Sequence, residues 1–205
     1  MKTIYLVRHG HVDNPDHIFY NEHFPLSAIG TREATELAHL LKENNCAPAR
    51  ILSSPYLRAR ETAHVISSVI DGPEVEHDDR LMEWQVGTWF LKPLAEFRSY
   101  AGYDKKPFVP NTEGFENFET MSARVKAAIL DLARSINDGG CGIIVSHREP
   151  MVSAILSFQG LGWDQVPLLD FPKGSSWRLT FDETSAMIDA HKAFDAASIE
   201  SINGI

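Results

Sequence analysis

The sequence predicts an α/β fold, a three-layer sandwich whose mostly parallel central sheet lies between two sets of helices. Three observations carry this prediction. Short apolar runs ending in polar residues recur along the chain, at 4–7, 50–53 and 142–146. Stretches with the apolar spacing of one helical face alternate with them, and clusters of Gly, Pro and Asp punctuate the two. The run 142–146 is apolar up to its closing Ser146, as in a strand buried on both faces. Strands alternating with helices give a parallel sheet covered on each side.

The elements follow in order. Ile4-Tyr5-Leu6-Val7 runs into Arg8-His9-Gly10, and a polar loop occupies 11–25. A helix opens at Ser27, whose hydroxyl suits a cap, and Ala34, Leu37, Ala38 and Leu41 repeat on one face. The second strand, 50–53, leads through Ser54-Pro55 into a helix that carries Arg58 in its first turn and stops near Ile70 at Asp71-Gly72-Pro73. Residues 74–89 read as a short strand and loop. Residues 92–112, with Pro93, Pro107 and Pro110, read as an irregular excursion over the sheet. A long helix is expected over 115–137, with Phe118, Met121, Val125, Ile129, Leu132 and Ile136 on its apolar stripe and Asp138-Gly139-Gly140 as its stop. The third strand precedes His147 and a helix over 149–158. Segments 177–181 and 186–191 read as late strands paired at an edge. No repeat or linker divides the chain, so one domain over 1–205 is expected.

Composition narrows the function. A net charge of −9 argues against a nucleic-acid partner, whose binding would need a basic face. It leaves a small anionic substrate open, because a few cations in one cleft can set a positive local field. No apolar stretch approaches the ~20 residues of a membrane span. Arg8 interrupts the first apolar run too early for a secretory signal. The two cysteines, Cys46 and Cys141, lack metal-type spacing; a disulfide framework or thiolate zinc site is not expected, and a reducing cytoplasm is the expected compartment.

In a parallel sheet the carboxyl ends of the strands share one edge, where ligands bind. The first strand brings Arg8 and His9 there, the second brings Ser53-Ser54-Pro55-Tyr56-Leu57-Arg58, and the third brings Val145-Ser146-His147-Arg148. Arg8 offers a permanently charged planar fork for a phosphate. His9 offers a nitrogen that is unprotonated for much of its time near neutral pH and can attack as a nucleophile. Gly10 lets the backbone turn or approach a ligand. Taken singly, Arg58 reads as a solvated helix arginine and His147 as a satisfied core histidine. Their joint occurrence at three strand ends argues for a phosphate cradle with its own nucleophile.

Five ordered segments carry a family resemblance: Leu6-Val7-Arg8-His9-Gly10, Pro25-Leu26-Ser27-Ala28-Ile29-Gly30, Ser53-Ser54-Pro55-Tyr56-Leu57-Arg58-Ala59, Leu81-Met82-Glu83 with Gly87-Thr88-Trp89, and Val145-Ser146-His147. The chain resembles the histidine phosphatase superfamily, which includes the cofactor-dependent phosphoglycerate mutases and many small phosphatases. The resemblance implies a phosphoglycerate mutase-like fold and a metal-independent phosphatase that works through a phosphohistidine, with no cofactor. By the same match, His9 is the expected nucleophile, Glu83 the proton donor, and Arg8, Arg58 and His147 the surroundings of the transferring phosphate. The expected partner is a small phosphorylated metabolite, with neither nucleic acid nor membrane. The oligomeric state is left open.

Departures from the family pattern fall at His11, at Asn14, at Arg148-Glu149-Pro150, and at Glu116-Asn117 with Arg124. Asn14 and Arg148 join the candidate binding residues. Arg148, with His11, is a candidate reader of an additional anionic group; the alternative is an Arg148 paired with a carboxylate behind the site. Specificity is expected from 13–24 and 84–112, where Phe19, Tyr20, Phe24, Trp84, Trp89 and Tyr103 either face an organic moiety or anchor loops. A mutase remains the alternative within the family, although insertions that would enclose a mutase site are not evident. Two more distant alternatives are a metal-dependent hydrolase built on His9 and His11, disfavoured by the nearby arginines, and a non-catalytic phosphate-binding module.

Overall fold

The computed structural model describes residues 1–102 and 113–195. Six strands form one sheet: β1 (Lys2–Arg8), β2 (Pro48–Ser53), β3 (Val75–His77), β4 (Cys141–Ser146), β5 (Ser175–Phe181) and β6 (Met187–Asp195). Their spatial order is β3-β2-β4-β1-β5-β6. The first four run parallel; β5 and β6 are antiparallel and close the β1 edge. Five helices accompany them: α1 (Ala28–Glu43), α2 (Leu57–Ile70), α3 (Leu94–Ala101), α4 (Phe118–Ser135) and α5 (Arg148–Phe158).

Alternation along the strands separates two cores. Tyr5, Val7, Ile51, Ile143 and Val145 meet α1 and α2 on one face, while Ile4, Leu6, Leu52 and Ile144 meet α4 and α5 on the other. β4 is buried at every position, as its apolar run requires. The predicted three-layer architecture is the one observed.

Local chemistry sets the element ends. Ser27 caps α1 by accepting the Gly30 N–H at 3.1 Å. Asp71 ends α2 in the left-handed region at φ 53°. Asn117 caps α4 by accepting the Thr120 N–H at 2.8 Å, so this helix starts after Phe115 and Glu116 and leaves Glu116 outside the helical ladder.

Two expectations fail. Residues 94–101 are helical, not irregular, because Leu94, Phe97 and Ala101 form an apolar face that the flanking prolines obscure. This helix packs into a third core with Trp84, Val86 and Met121. The remainder of the expected excursion, 103–112 with Tyr103, Pro107 and Pro110, lies outside the described residues. The second failure concerns the cysteines: Cys46 and Cys141 form a disulfide, with Cα atoms 6.0 Å apart. A separation of 95 residues in sequence says nothing of this pairing, which arises because β4 begins beside the turn that follows α1. Among the described residues, no helix is long and apolar enough to cross a membrane.

Candidate active site

Register brings the candidate residues level. Arg8 pairs with Ser146 across β1 and β4, and Ser53 pairs with Val145 across β2 and β4. The chain continues past each strand end with backbone bonds to its neighbour: His9 N–H donates to the Ser146 carbonyl at 3.1 Å and Ser54 N–H to the Val145 carbonyl at 2.9 Å. His9, Arg58 and His147 are therefore buried side by side at the sheet's carboxyl edge.

The loop that carries His9 is fixed by glycine. A Cβ on Gly10 would lie 2.5 Å from the Gly30 carbonyl oxygen, and one on Gly30 would collide with the His11 backbone. Only two glycines permit this contact between the loop and the first turn of α1. Thr62 in α2 accepts the Gly10 N–H at 3.1 Å.

The ring contacts assign tautomers. His9 Nδ1–H donates to the Gly10 carbonyl at 2.8 Å, which leaves Nε2 with its lone pair; Arg58 Nε–H donates to it at 3.2 Å. His147 Nδ1 accepts from Arg58 Nη2 at 3.1 Å, so its Nε2–H donates to Ser54 Oγ at 2.9 Å. Burial, then the charges of Arg58 and Arg8, hold His9 well below the ordinary histidine range. Burial and Arg58 do the same for His147. Both rings are neutral at neutral pH.

Arg58 is fully buried and fixed on every side. Besides the two histidines, it donates to the Asn21 carbonyl at 2.7 Å and stands 3.5 Å from Glu83 Oε2. Its guanidinium carbon is 4.7 Å from the Tyr20 ring centroid and 5.1 Å from that of Tyr56. Arg8 reaches the Phe171 carbonyl at 2.7 Å, while its buried Nε has no partner among the described residues.

Glu83 completes the cluster. Burial and the nearby charge of Glu149 push its pKa up to about 7, against the pull of Arg58. Its Oε1 accepts the Trp84 N–H at 2.9 Å, and its Oε2 lies 3.4 Å from His147 Nδ1, whose lone pair favours a protonated carboxyl there. Arg124 holds the Glu83 loop. It donates to the carbonyls of Arg80, Met82 and Glu83 and forms a two-pronged pair with Glu116 at 2.6 and 2.8 Å.

A cavity of about 460 Å³ reaches this cluster at Arg8 and Glu83, with Tyr20, Phe97, Arg148 and Lys173 in its walls. Asn14 also lines it, yet its amide closes its own loop by donating to the Ile18 carbonyl at 2.9 Å and accepting the Ile18 N–H at 3.1 Å. Arg148 donates to the carbonyls of Val166 and Leu169, both at 2.9 Å, and to Glu149 at 3.2 Å. His11 turns to Ser27 Oγ at 2.8 Å. The structure thus clusters Arg8, His9, Arg58, Glu83 and His147, and sets Asn14 and Arg148 in the wall. Sequence reasoning missed Lys173 and Glu149. Lys173 had a usable signal: it lies two residues before β5, and an antiparallel strand starts at the edge where its parallel neighbours end.

Comparison with known proteins gives the family and the fold. The chain is 27% identical over 151 residues to a 5''-phosphoribostamycin phosphatase of Niallia circulans, covering 72% of this chain and 70% of that one. Its fold superposes on YhfR of Bacillus stearothermophilus with a TM-score of 0.77 at 22% identity, covering 96% of this chain and 97% of that one. A mycobacterial glucosyl-3-phosphoglycerate phosphatase in complex with VO3 gives 0.77 at 21% identity, covering 95% and 99%. The model of the histidine phosphatase superfamily (branch 1) matches residues 4–193, and the chain belongs to that superfamily.

Proposed function

We propose that the protein is a metal-independent phosphatase that hydrolyses monoesters of small phosphorylated metabolites through a phosphohistidine on His9. The observation that carries this reading is the His9 imidazole: buried, neutral, and anchored through Nδ1 so that Nε2 faces Arg58, with the charge of Arg8 nearby. Phosphatase names among the relatives support hydrolysis over transfer.

The phosphoryl oxygens bind Arg8 and Arg58, whose fixed charges oppose the negative charge of the transition state. Arg58 Nε–H moves from His9 Nε2 to an oxygen as the ester arrives. Nε2 attacks phosphorus, the ester P–O bond breaks, and Glu83 gives its proton to the departing alkoxide. The Nδ1–H bond to the Gly10 carbonyl supports the positive ring so formed. Glu83, now a carboxylate, takes a proton from water; the water oxygen attacks phosphorus and the P–N bond breaks. Phosphate leaves, His9 is neutral again and Glu83 is protonated. His147, donating to Ser54 and accepting from Arg58, fixes the guanidinium. Asn14 and Arg148 shape the cavity wall that the organic group meets.

Rapid quenching with a reactive phosphomonoester tests the reading. The expected result is an acid-labile, base-stable label on His9, absent in His9→Ala, with inorganic phosphate as product and activity unchanged after exhaustive chelation. Turnover that proceeds without an adduct and survives His9→Ala would overturn it. An isomeric ester in place of phosphate would mark a mutase.

A further inference from the structure

We infer that Lys173 binds a second anionic group on the organic part of the substrate, so that preferred esters carry a carboxylate or another phosphate close to the one transferred. This rests on the phosphatase reading above.

Lys173 stands in the loop that leads into β5, half-buried in the cavity wall. The loop is tied to the nucleophile itself, because Gly174 N–H donates to the His9 carbonyl at 3.3 Å. The Lys173 ammonium is 5.7 Å from the centroid of the Tyr20 ring that also faces Arg58. Among the described residues it has no hydrogen-bond acceptor and no carboxylate within ion-pair distance. The other cations around the cavity are engaged: Arg58 with Glu83 and the histidines, Arg148 with Glu149 and two carbonyls, Arg8 with the Phe171 carbonyl, and Arg98, also in the wall, with a partner of its own. Burial and the charge of Arg8 lower the proton affinity of Lys173, and the opposing pull of Glu33 is weaker. An ammonium kept partly from water beside other cations is unfavourable until an anion reaches it.

Charge balance indicates which anion. A phosphomonoester dianion is matched by Arg8 and Arg58 when Glu83 carries the proton it will donate. Lys173 then adds one positive charge that the transferring phosphate does not require. The cavity, about 460 Å³, has room for an organic group beyond that phosphate. Arg148, the sequence candidate for this role, has its guanidinium committed to the 166–169 loop and Glu149. Lys173 is the cation available.

Binding calorimetry in the His9→Ala background tests this without turnover, using glycerol 3-phosphate, 3-phosphoglycerate and 1,3-propanediol bisphosphate. The doubly anionic probe that fits should bind about tenfold tighter than glycerol 3-phosphate, a difference of about 1.4 kcal/mol. Adding Lys173→Met should erase that preference while glycerol 3-phosphate binding changes by less than about twofold, which also shows that the variant is folded. The better of the two anionic probes identifies carboxylate or phosphate. Equal weakening of all three ligands would assign Lys173 to the transferring phosphate and overturn the inference, as would no change in any of them. Since no chemistry is involved, failure to trap a phosphohistidine in the wild type would refute the mechanism and leave this result independent.

Discussion

Replacing Glu83 with Gln gives the sharpest test of how the site handles protons. The carboxyl is pushed up to about 7 chiefly by burial, so half of it holds a proton at that pH and about a tenth at one unit higher. The first half-reaction needs that proton, and His9, held well below the histidine range, stays neutral across the same interval. For an alkyl phosphate, kcat/KM should therefore fall about tenfold per pH unit above about 7. Gln keeps the shape and can still accept the Trp84 N–H, but it has no acidic proton. The expected loss in kcat/KM on an alkyl ester is about 10²–10⁴-fold, or about 3–5 kcal/mol of barrier. A nitrophenyl ester, whose leaving group departs as a stabilised phenolate, should lose less than about tenfold, because its departure hardly needs an acid. The assay is kcat/KM from pH 5 to 9 on both esters; this parameter reports the steps through phosphorylation of His9 and omits water attack. The substrate's own second ionisation is common to both enzymes and cancels in their ratio. Equal losses on the two esters, or an alkaline fall near 7 that persists in Glu83→Gln, would refute the assignment of Glu83 as proton donor.

The same carboxyl governs stability. Its folded pKa is raised from an ordinary 4.5 to about 7, so its contribution is complete below the ordinary value and lost as pH rises through 7. Thermal melts should show wild type losing up to about 3 kcal/mol relative to Glu83→Gln between pH 4 and 9; parallel melting curves would contradict the burial argument. Arg124→Met strands the buried Glu116 and three carbonyls, and should cost about 3–5 kcal/mol of stability and lower kcat. Arg124→Met combined with Glu116→Gln should recover part of that loss in denaturant titrations, and no recovery would refute the pairing. Gly30→Ala, which on helix propensity alone would stabilise by about 1 kcal/mol, should instead destabilise by about 1–3 kcal/mol through collision with the His11 backbone. A raised Tm would show that the contact between loop and helix yields. The Cys46–Cys141 bond closes a 95-residue separation, worth about 5 kcal/mol on a chain-entropy account. Thiol titration of the unfolded, unreduced protein should find no free thiol, and finding two would refute the bond.

The parts of the molecule that were legible in sequence are those whose signals are local. β4 announced itself by its apolar run up to Ser146, α1 by Ser27 and its apolar repeat, and the end of α2 by Asp71-Gly72-Pro73. The convergence of Arg8, His9, Arg58 and His147 follows from parallel strand direction alone, since all four sit at or just past carboxyl ends. What stayed hidden depends on contacts distant in the chain. α3 was obscured because prolines flank an apolar face whose partners, Trp84 and Met121, lie on other segments. The disulfide depends on where β4 begins relative to α1. The engagement of Arg148 by carbonyls of a later loop has no sequence signature, since any residue supplies a carbonyl.

Lys173 and Arg148 together show why residue type cannot assign a role at such an edge. Both are cations within reach of one cavity, and by sequence Arg148 has the stronger claim because it follows His147 directly. Its guanidinium, with five donors in a rigid fork, is suited to gathering several carbonyls, and it joins the 166–169 loop to the start of α5. An ammonium on a flexible stem makes a poorer brace, and a better counter-ion for a ligand that comes and goes. The brace also has a second consequence. By drawing Glu149 toward itself at 3.2 Å, Arg148 helps fix the carboxylate whose charge raises Glu83. Removing Glu149 should thus move the alkaline limb of kcat/KM toward acid by less than about one pH unit. Removing Lys173 should move that limb less, because burial, Glu149, Arg58 and Arg8 chiefly set the Glu83 proton. The Arg148–Glu149 pair and Lys173 would then separate experimentally, one through the Glu83 proton and the other through the substrate's charge.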